Sequence, residues 1–347
     1  MLRLPKTITW TGKSVRLINQ LKLPHRLEYI ETDSWKRLRD AIAKMEIRGA
    51  PAIGIASAYA LALAALSLDE HMDIGNALAE LREVGKKLKL TRPTAVNLAW
   101  AVERVLRKLE KCKSIKEIKE EAVKEAIRIQ KEDEEANARI GELGEELIGN
   151  GDTIITICNA GSLATSYYGT ATAPIYKARE KGKKVKVIIM ETRPYLQGAR
   201  LTAWELSMAG IEAKIITDNS IGIVMMKENI SLAITGADRI TSKGYVANKI
   251  GTLPLALVSR EFGVPFYVAA PTSSIDMRIS LPEEIEIERR PEREVLELMG
   301  VKIAPNGVGA IYYAFDVTPP KYIDGIITEK GIAHPPYEKT LKKIIRS

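Results

Sequence analysis

From Gly151 onward, five short apolar runs recur, at 153–157 (TIITI), 185–190 (VKVIIM), 213–217 (AKIIT), 231–235 (SLAIT) and 264–270 (VPFYVAA). Stretches of helical length separate them. Strands that alternate with helices form a parallel sheet covered on both faces, because each parallel strand needs a crossover to return. Ligands of such sheets bind at the carboxyl ends of the strands. Here the runs are followed by Cys158-Asn159-Ala160-Gly161, Glu191-Thr192-Arg193-Pro194, Asp218-Asn219, Gly236-Ala237-Asp238-Arg239 and Pro271-Thr272-Ser273-Ser274. Topology alone should bring these polar and reactive residues to one rim.

The first part of the chain has another rhythm. Segments 14–18 and 26–30 alternate as short strands do. From Ser34, a plausible N-cap, the period becomes helical. Helices are expected to about Lys44, from Pro51, and near 74–88, 94–111 and 114–148. The expected fold is α/β: a smaller N-terminal domain of short strands and helices, residues 1–130, then a Rossmann-like parallel-sheet domain, residues 131–347.

Between Gly49 and Leu68, 20 residues carry no charge, and eight of them are Ala. Strong Leu, Ile and Phe content drives membrane insertion, and it is thin here, so a buried helix is expected and no membrane association. The first ten residues, MLRLPKTITW, hold no long apolar run, so no secretory leader is expected and a cytoplasmic location is. Two cysteines, Cys112 and Cys158, cannot build a disulfide framework. With Lys and Arg at 52 against 44 Asp and Glu, the net charge is +8, which suits an anionic small molecule. The basic residues are scattered and aromatics are 5%, so the footprint of a nucleic-acid binder is missing. Abundant Lys, Arg and Glu with only three Gln suit a source that lives hot.

Cys158, at a strand-to-helix turn, would sit near amide donors that favour an anion, or would simply be a small buried hydrophobe. Asp238 follows two small residues that let a ligand approach. It could be a general acid or base, or could cap a helix or pair with Arg239. Phosphate recognition needs Arg, Lys and backbone amides. Arg48-Gly49-Ala50-Pro51 and Arg92-Pro93-Thr94 each place an Arg before a helix, and Asn248-Lys249 adds an amide and a cation. Together they suggest a phosphorylated small molecule. There is no P-loop and no G-x-G-x-x-G after a strand. His25, His71 and His334 are too scattered for a zinc cluster, so no metal is expected.

Several of these stretches carry a resemblance. IRGAPAIG from Ile47, RPTAVNL from Arg92, CNAG from Cys158, ETRPYLQGARLTAWEL from Glu191, GADR from Gly236 and ANKIGT from Ala247 are similar to the 5-methylthioribose-1-phosphate isomerases of methionine salvage. The similarity runs over nearly the whole chain. It implies an aldose–ketose isomerase without metal or cofactor, usually a homodimer, with Cys158 and Asp238 as the catalytic groups. It also implies that Arg48, Gly49, Ala50, Arg92, Gln197, Asn248 and Lys249 hold the sugar phosphate. Many members carry His directly before the catalytic Cys. Here that position is Ile157, so no role of that His transfers. Two relatives in the same superfamily give other readings: ribose 1,5-bisphosphate isomerase, and the non-catalytic scaffold subunits of a translation-initiation exchange factor.

Overall fold

A computed structural model describes residues 4–92 and 95–346. Pro93 and Thr94 of the second cationic turn lie outside the described residues. The chain forms two compact units, one of residues 5–136 and 162–169, the other of Leu4, Asn137–Gly161 and Thr170 onward.

In the smaller unit β1 (Ile8–Trp10), β2 (Val15–Ile18) and β3 (Tyr29–Thr32) form an antiparallel sheet. Val15 and Leu17 are buried while Arg16 between them is exposed, the alternation of a sheet with one wet face. Five helices follow: α1 (Trp35–Ala43), α2 (Ala50–Leu66), α3 (Ile74–Lys89), α4 (Val96–Leu109) and α5 (Ile115–Glu145). Ser34 caps α1 by accepting from the Arg37 N–H. The uncharged Ala-rich segment is α2, buried along nearly its whole length. Its small side chains let neighbours come close: a Cβ at Gly54 would sit 3.0 Å from the Asn97 carbonyl oxygen of α4. No described helix is long and apolar enough to cross a membrane. α5 buries Ile118, Ala122, Ala126 and Ile129 and turns most of its charges to solvent, while Glu125 is buried against Arg104 and Glu145 against Lys181 and Lys183. The division between the units falls within it, at Ala136 and Asn137.

The larger unit contains β4 (Thr153–Thr156), β5 (Lys186–Met190), β6 (Glu212–Ile216), β7 (Leu232–Thr235), β8 (Arg239–Thr241), β9 (Val246–Lys249) and β10 (Phe266–Ala269). These continue with β11 (Ile275–Asp276), β12 (Glu297–Leu298), β13 (Val301–Lys302), β14 (Phe315–Thr318), β15 (Gly325–Thr328) and β16 (Gly331–Ala333). Its helices include α6 (Ala173–Glu180), α7 (Ala203–Met208), α8 (Ile221–Lys227) and α9 (Thr252–Glu261). Among the described residues a seven-stranded sheet runs in the order β16-β15-β10-β7-β4-β5-β6, parallel except for β16 at one edge. The central strands are near-continuous Ile, Val and Leu because helices cover both faces. β6, at the other edge, alternates Glu212 and Lys214 outward, which discourages pairing with a foreign strand. Taken in chain order, the parallel strands are arranged 3-2-1-4-5-6, which is the Rossmann arrangement. The fold is therefore α/β and Rossmann-like. A smaller sheet, β11-β8-β9-β14, lies beyond β7 in the chain and carries Asn248 and Lys249 on β9.

Candidate active site

In an open parallel sheet the crevice opens where the strand order reverses. Here the reversal lies between β4 and β7, which pair directly. Cys158 follows β4 and Asp238 follows β7, so the fold carries both reactive groups to that crevice. The loops that bear them touch: a Cβ at Gly236 would lie 2.6 Å from the Ala160 Cβ. Glycine at 236 is what permits this approach.

Cys158 is 8% exposed and has φ of 64°, a conformation that residues other than glycine seldom adopt. Its N–H donates to the Thr192 Oγ1 at 2.8 Å, and its carbonyl accepts from the Thr202 Oγ1 at 2.6 Å. Thr192 is itself at φ 66° and passes its hydroxyl hydrogen to the Met190 carbonyl. The Thr192 and Arg193 N–H groups donate to the two oxygens of Asp218, at 2.8 and 2.6 Å. Two strained backbones are thus held by one hydrogen-bonded chain from the ends of β4, β5 and β6. Strain of this kind costs about 1–3 kcal/mol per residue and persists where surroundings over-determine it. Burial and the Asp218 charge push the neighbouring Glu191 carboxyl above its ordinary value.

The structure corrects one expectation. No α-helix starts behind Cys158: a short turn at Ser162–Ala164 follows, and α6 begins only at Ala173. The amide of Cys158 itself is committed to Thr192. Burial, rather than a helix terminus, therefore defines the setting of this thiol. Nor does Asp238 cap a helix, since β8 follows it; its N–H donates to the Ala247 carbonyl and its side chain is half-buried.

Behind the thiol, the Asn159 Nδ2 donates to the Thr202 Oγ1 at 3.1 Å and, very closely, to the Glu205 carboxylate. Glu205 is 0% exposed. Gln197 is brought to the end of β5 because Gly198 lies against the Met190 carbonyl, where a Cβ would be 1.9 Å from the oxygen. The Gln197 Oε1 is buried and makes no hydrogen bond among the described residues. Asn248 gives both amide hydrogens away, to the Thr235 Oγ1 at 2.8 Å and the Thr252 Oγ1 at 2.9 Å. The Thr252 hydroxyl spends its own hydrogen on the Lys249 carbonyl, so it can only accept from Asn248. That fixes the amide orientation and leaves its carbonyl oxygen as the available acceptor. The Lys249 Nζ lies 4.5 Å from the Phe315 ring centre. Asp316, opposite Asn248 in the ladder, accepts from the Gly251 and Leu253 N–H groups at the start of α9. Burial outweighs those bonds and Lys249, and pushes its carboxyl up to about 6.

Arg48, Gly49 and Ala50 stand in the smaller unit at the first turn of α2, and Arg48 is 9% exposed. Gly49 has φ of 94°, and a Cβ there would lie 2.4 Å from the Ala164 Cα, so no other residue fits. Arg92 stands before α4, its carbonyl accepting from the Ala95 N–H. Among the described residues no group of three His, Cys, Asp or Glu side chains could hold a metal ion.

Thr192 stood in the sequence only as one strand-end residue among several, and Thr202 and Glu205 are site residues that it did not single out. They lie within the 191–206 block, whose density of polar residues after a strand was the available signal. Asp316 had none, since β14 comes late in the chain and pairs with β9.

The model of the initiation factor 2 subunit family matches residues 46–335. The methylthioribose-1-phosphate isomerase of Bacillus licheniformis is 47% identical over 340 residues, covering 98% of this chain and 96% of that protein. The crystal structure of 5-methylthioribose 1-phosphate isomerase from Pyrococcus horikoshii OT3 matches with a TM-score of 0.93 at 43% identity, over 99% of this chain and 97% of that one. Subunit delta of the translation initiation factor eIF-2B from A. fulgidus matches with a TM-score of 0.90 at 42% identity, over 99% and 100%.

Proposed function

The chain belongs to the initiation factor 2 subunit family, and we propose that within it the chain is an aldose–ketose isomerase, converting 5-(methylthio)ribose 1-phosphate into 5-(methylthio)ribulose 1-phosphate. The observation that carries this reading is the pairing of a buried thiol and a half-buried carboxyl, Cys158 and Asp238, on touching loops at the switch point of the sheet. A scaffold subunit needs neither group. The near-full-length likeness to the Bacillus licheniformis isomerase supports the choice of substrate.

The chemistry asks for two acid–base groups in a sheltered place. C1 carries the phosphate ester, so the anomeric carbon cannot open to a free aldehyde. Ring opening needs a proton on the ring oxygen, and Asp238 is our donor. Hydrogen then moves from C2 to C1 and the C2 hydroxyl gives up its proton, which Asp238 can take back. The products are a ketone at C2 and a primary phosphate ester at C1, with protons conserved. In a cis-enediol route the Cys158 thiolate removes the C2 proton and returns it to C1. In a hydride-shift route Cys158 flanks the migrating hydrogen. Ile157, 1% exposed beside Cys158, keeps the neighbourhood apolar and favours the second route.

We assign Asn248, through its carbonyl oxygen, to a sugar hydroxyl, the Gln197 Oε1 to another, and Lys249 to the phosphate. Family resemblance adds Arg48, Gly49, Ala50 and Arg92. We also propose a cytoplasmic homodimer that needs no cofactor, from a source that lives hot. Six exposed apolar residues between Met299 and Tyr313 offer a surface for the second copy. Light scattering of the purified protein tests the dimer.

Phosphorus NMR of the protein with 5-(methylthio)ribose 1-phosphate and EDTA tests the reading. The anomeric phosphate signal should become that of a primary ester, and Cys158→Ser and Asp238→Asn should abolish the change while remaining folded. Failure on this sugar but conversion of ribose 1,5-bisphosphate would replace the substrate. Failure on both would leave the scaffold reading.

A further inference from the structure

Tyr312 stands just before β14, in an extended segment whose residues alternate sides. Ile311 and Tyr313 are exposed, whereas Tyr312 and Ala314 are buried. The segment is laced on both edges. The Tyr312 carbonyl accepts from the Arg290 N–H at 3.0 Å, and the Ala314 N–H donates to the Glu288 carbonyl at 2.9 Å. On the other edge the Ala314 carbonyl accepts from the Ile250 N–H at 3.1 Å, one residue beyond Lys249. The backbone that aims this side chain is therefore fixed by the same strand that carries Asn248 and Lys249.

Tyr312 is 4% exposed, yet among the described residues nothing hydrogen-bonds its phenol. Tyrosines whose rings are buried usually find a partner for the hydroxyl. Four charged or titratable groups act on the phenol: Glu294, Arg290, Glu288 and Cys158. Arg290 is occupied by both acids, at 2.9 Å from Glu288 and closer still to Glu294. That leaves Cys158 as the reactive group in the neighbourhood. Burial, with the nearby acids, pushes the phenol up to about 12, so it carries its proton throughout the working range. It is a donor awaiting an acceptor.

We propose that Tyr312 is a further substrate-binding residue, whose hydroxyl donates a hydrogen bond to an oxygen of the bound sugar phosphate beside Cys158. A sugar hydroxyl or carbonyl is the acceptor this geometry asks for; a thioether sulfur is too weak an acceptor to meet the need. The inference rests on the isomerase reading above and adds a residue that reading did not contain.

Tyr312→Phe removes the hydroxyl alone. Since the hydroxyl has no internal partner, the variant should melt with wild type. Its kcat/KM for 5-(methylthio)ribose 1-phosphate should fall tenfold to a hundredfold. In protein labelled with carbon-13 at tyrosine Cζ, the resonance missing from the variant should shift in wild type when the equilibrium mixture of substrate and product is added. Wild-type kcat and KM in Tyr312→Phe, or a resonance that stays in place, would overturn the proposal while leaving the isomerase intact. No turnover by wild type on this sugar would overturn the isomerase reading and this inference together.

Discussion

Gly161→Ala is the sharpest test of how the candidate site is built. A Cβ at this position would lie 1.8 Å from the Glu205 Oε1 and 2.4 Å from its Cδ. Ordinary carbon–oxygen contact is about 3.3 Å, so the carboxylate would have to move by roughly 1.5 Å. A surface glutamate would swing away cheaply. Glu205 is fully buried and accepts from the Asn159 Nδ2, so moving it breaks that bond and strands the carboxylate among packed neighbours. Overpacking costs about 1–3 kcal/mol, and a lost hydrogen bond to a charged group about 1.5–3 kcal/mol. The expected loss is about 3–6 kcal/mol, a large share of a typical total. Urea unfolding of wild type, Gly161→Ala, Glu205→Ala and the double variant measures it. Glu205→Ala should be destabilising alone, because Asn159 loses a partner. In the double variant the new methyl enters space the carboxylate has left, so the two losses should overlap by about 2–3 kcal/mol. A Gly161→Ala protein within about 1 kcal/mol of wild type would refute the reasoning, as would losses that simply add.

Thr192→Val leaves the Cys158 N–H buried without its acceptor. It should cost about 1–3 kcal/mol and lower kcat more than it raises KM; unchanged kcat would show that Thr192 does not hold the thiol. Asp316 should titrate near 6 in a carbon-13 carboxyl titration. With a folded value above the unfolded one of about 3.9, its contribution to stability is full below about pH 4 and lost as pH rises through about 6, at most about 3 kcal/mol. Asp316→Asn should flatten that part of the stability curve, and parallel curves would disprove the shift. Substrate deuterated at C2 should give product with deuterium retained at C1 if hydride shifts in an apolar pocket; wash-out into water would establish the enediol route instead.

Much of the architecture was legible in the residues. The short apolar runs at 153–157 and 231–235 became β4 and β7, and their polar ends became the rim of the crevice. The uncharged Ala-rich stretch became a buried helix, because small side chains without charge pack but do not insert. The residues that bound the thiol were harder to read. A helix behind Cys158 was a fair expectation from strand-then-Gly, but residues 162–169 belong to the smaller unit instead, so the chain leaves the sheet where a helix would have begun. The paired positive φ angles of Cys158 and Thr192 leave no trace in sequence, since neither residue is glycine.

The sequence by itself determined the period of each element and the kind of residue at each strand end, because those depend on neighbours within a turn or two. The tertiary structure decided the strand order, and hence that β4 and β7 lie side by side with Cys158 and Asp238 on touching loops. It alone joined Thr192 to Cys158, Glu205 to Asn159, and the segment of Tyr312 to that of Lys249. Such pairings cross long stretches of chain. They are selected by which faces can be buried together and which buried polar groups must find partners, and that selection is settled only when the whole core packs.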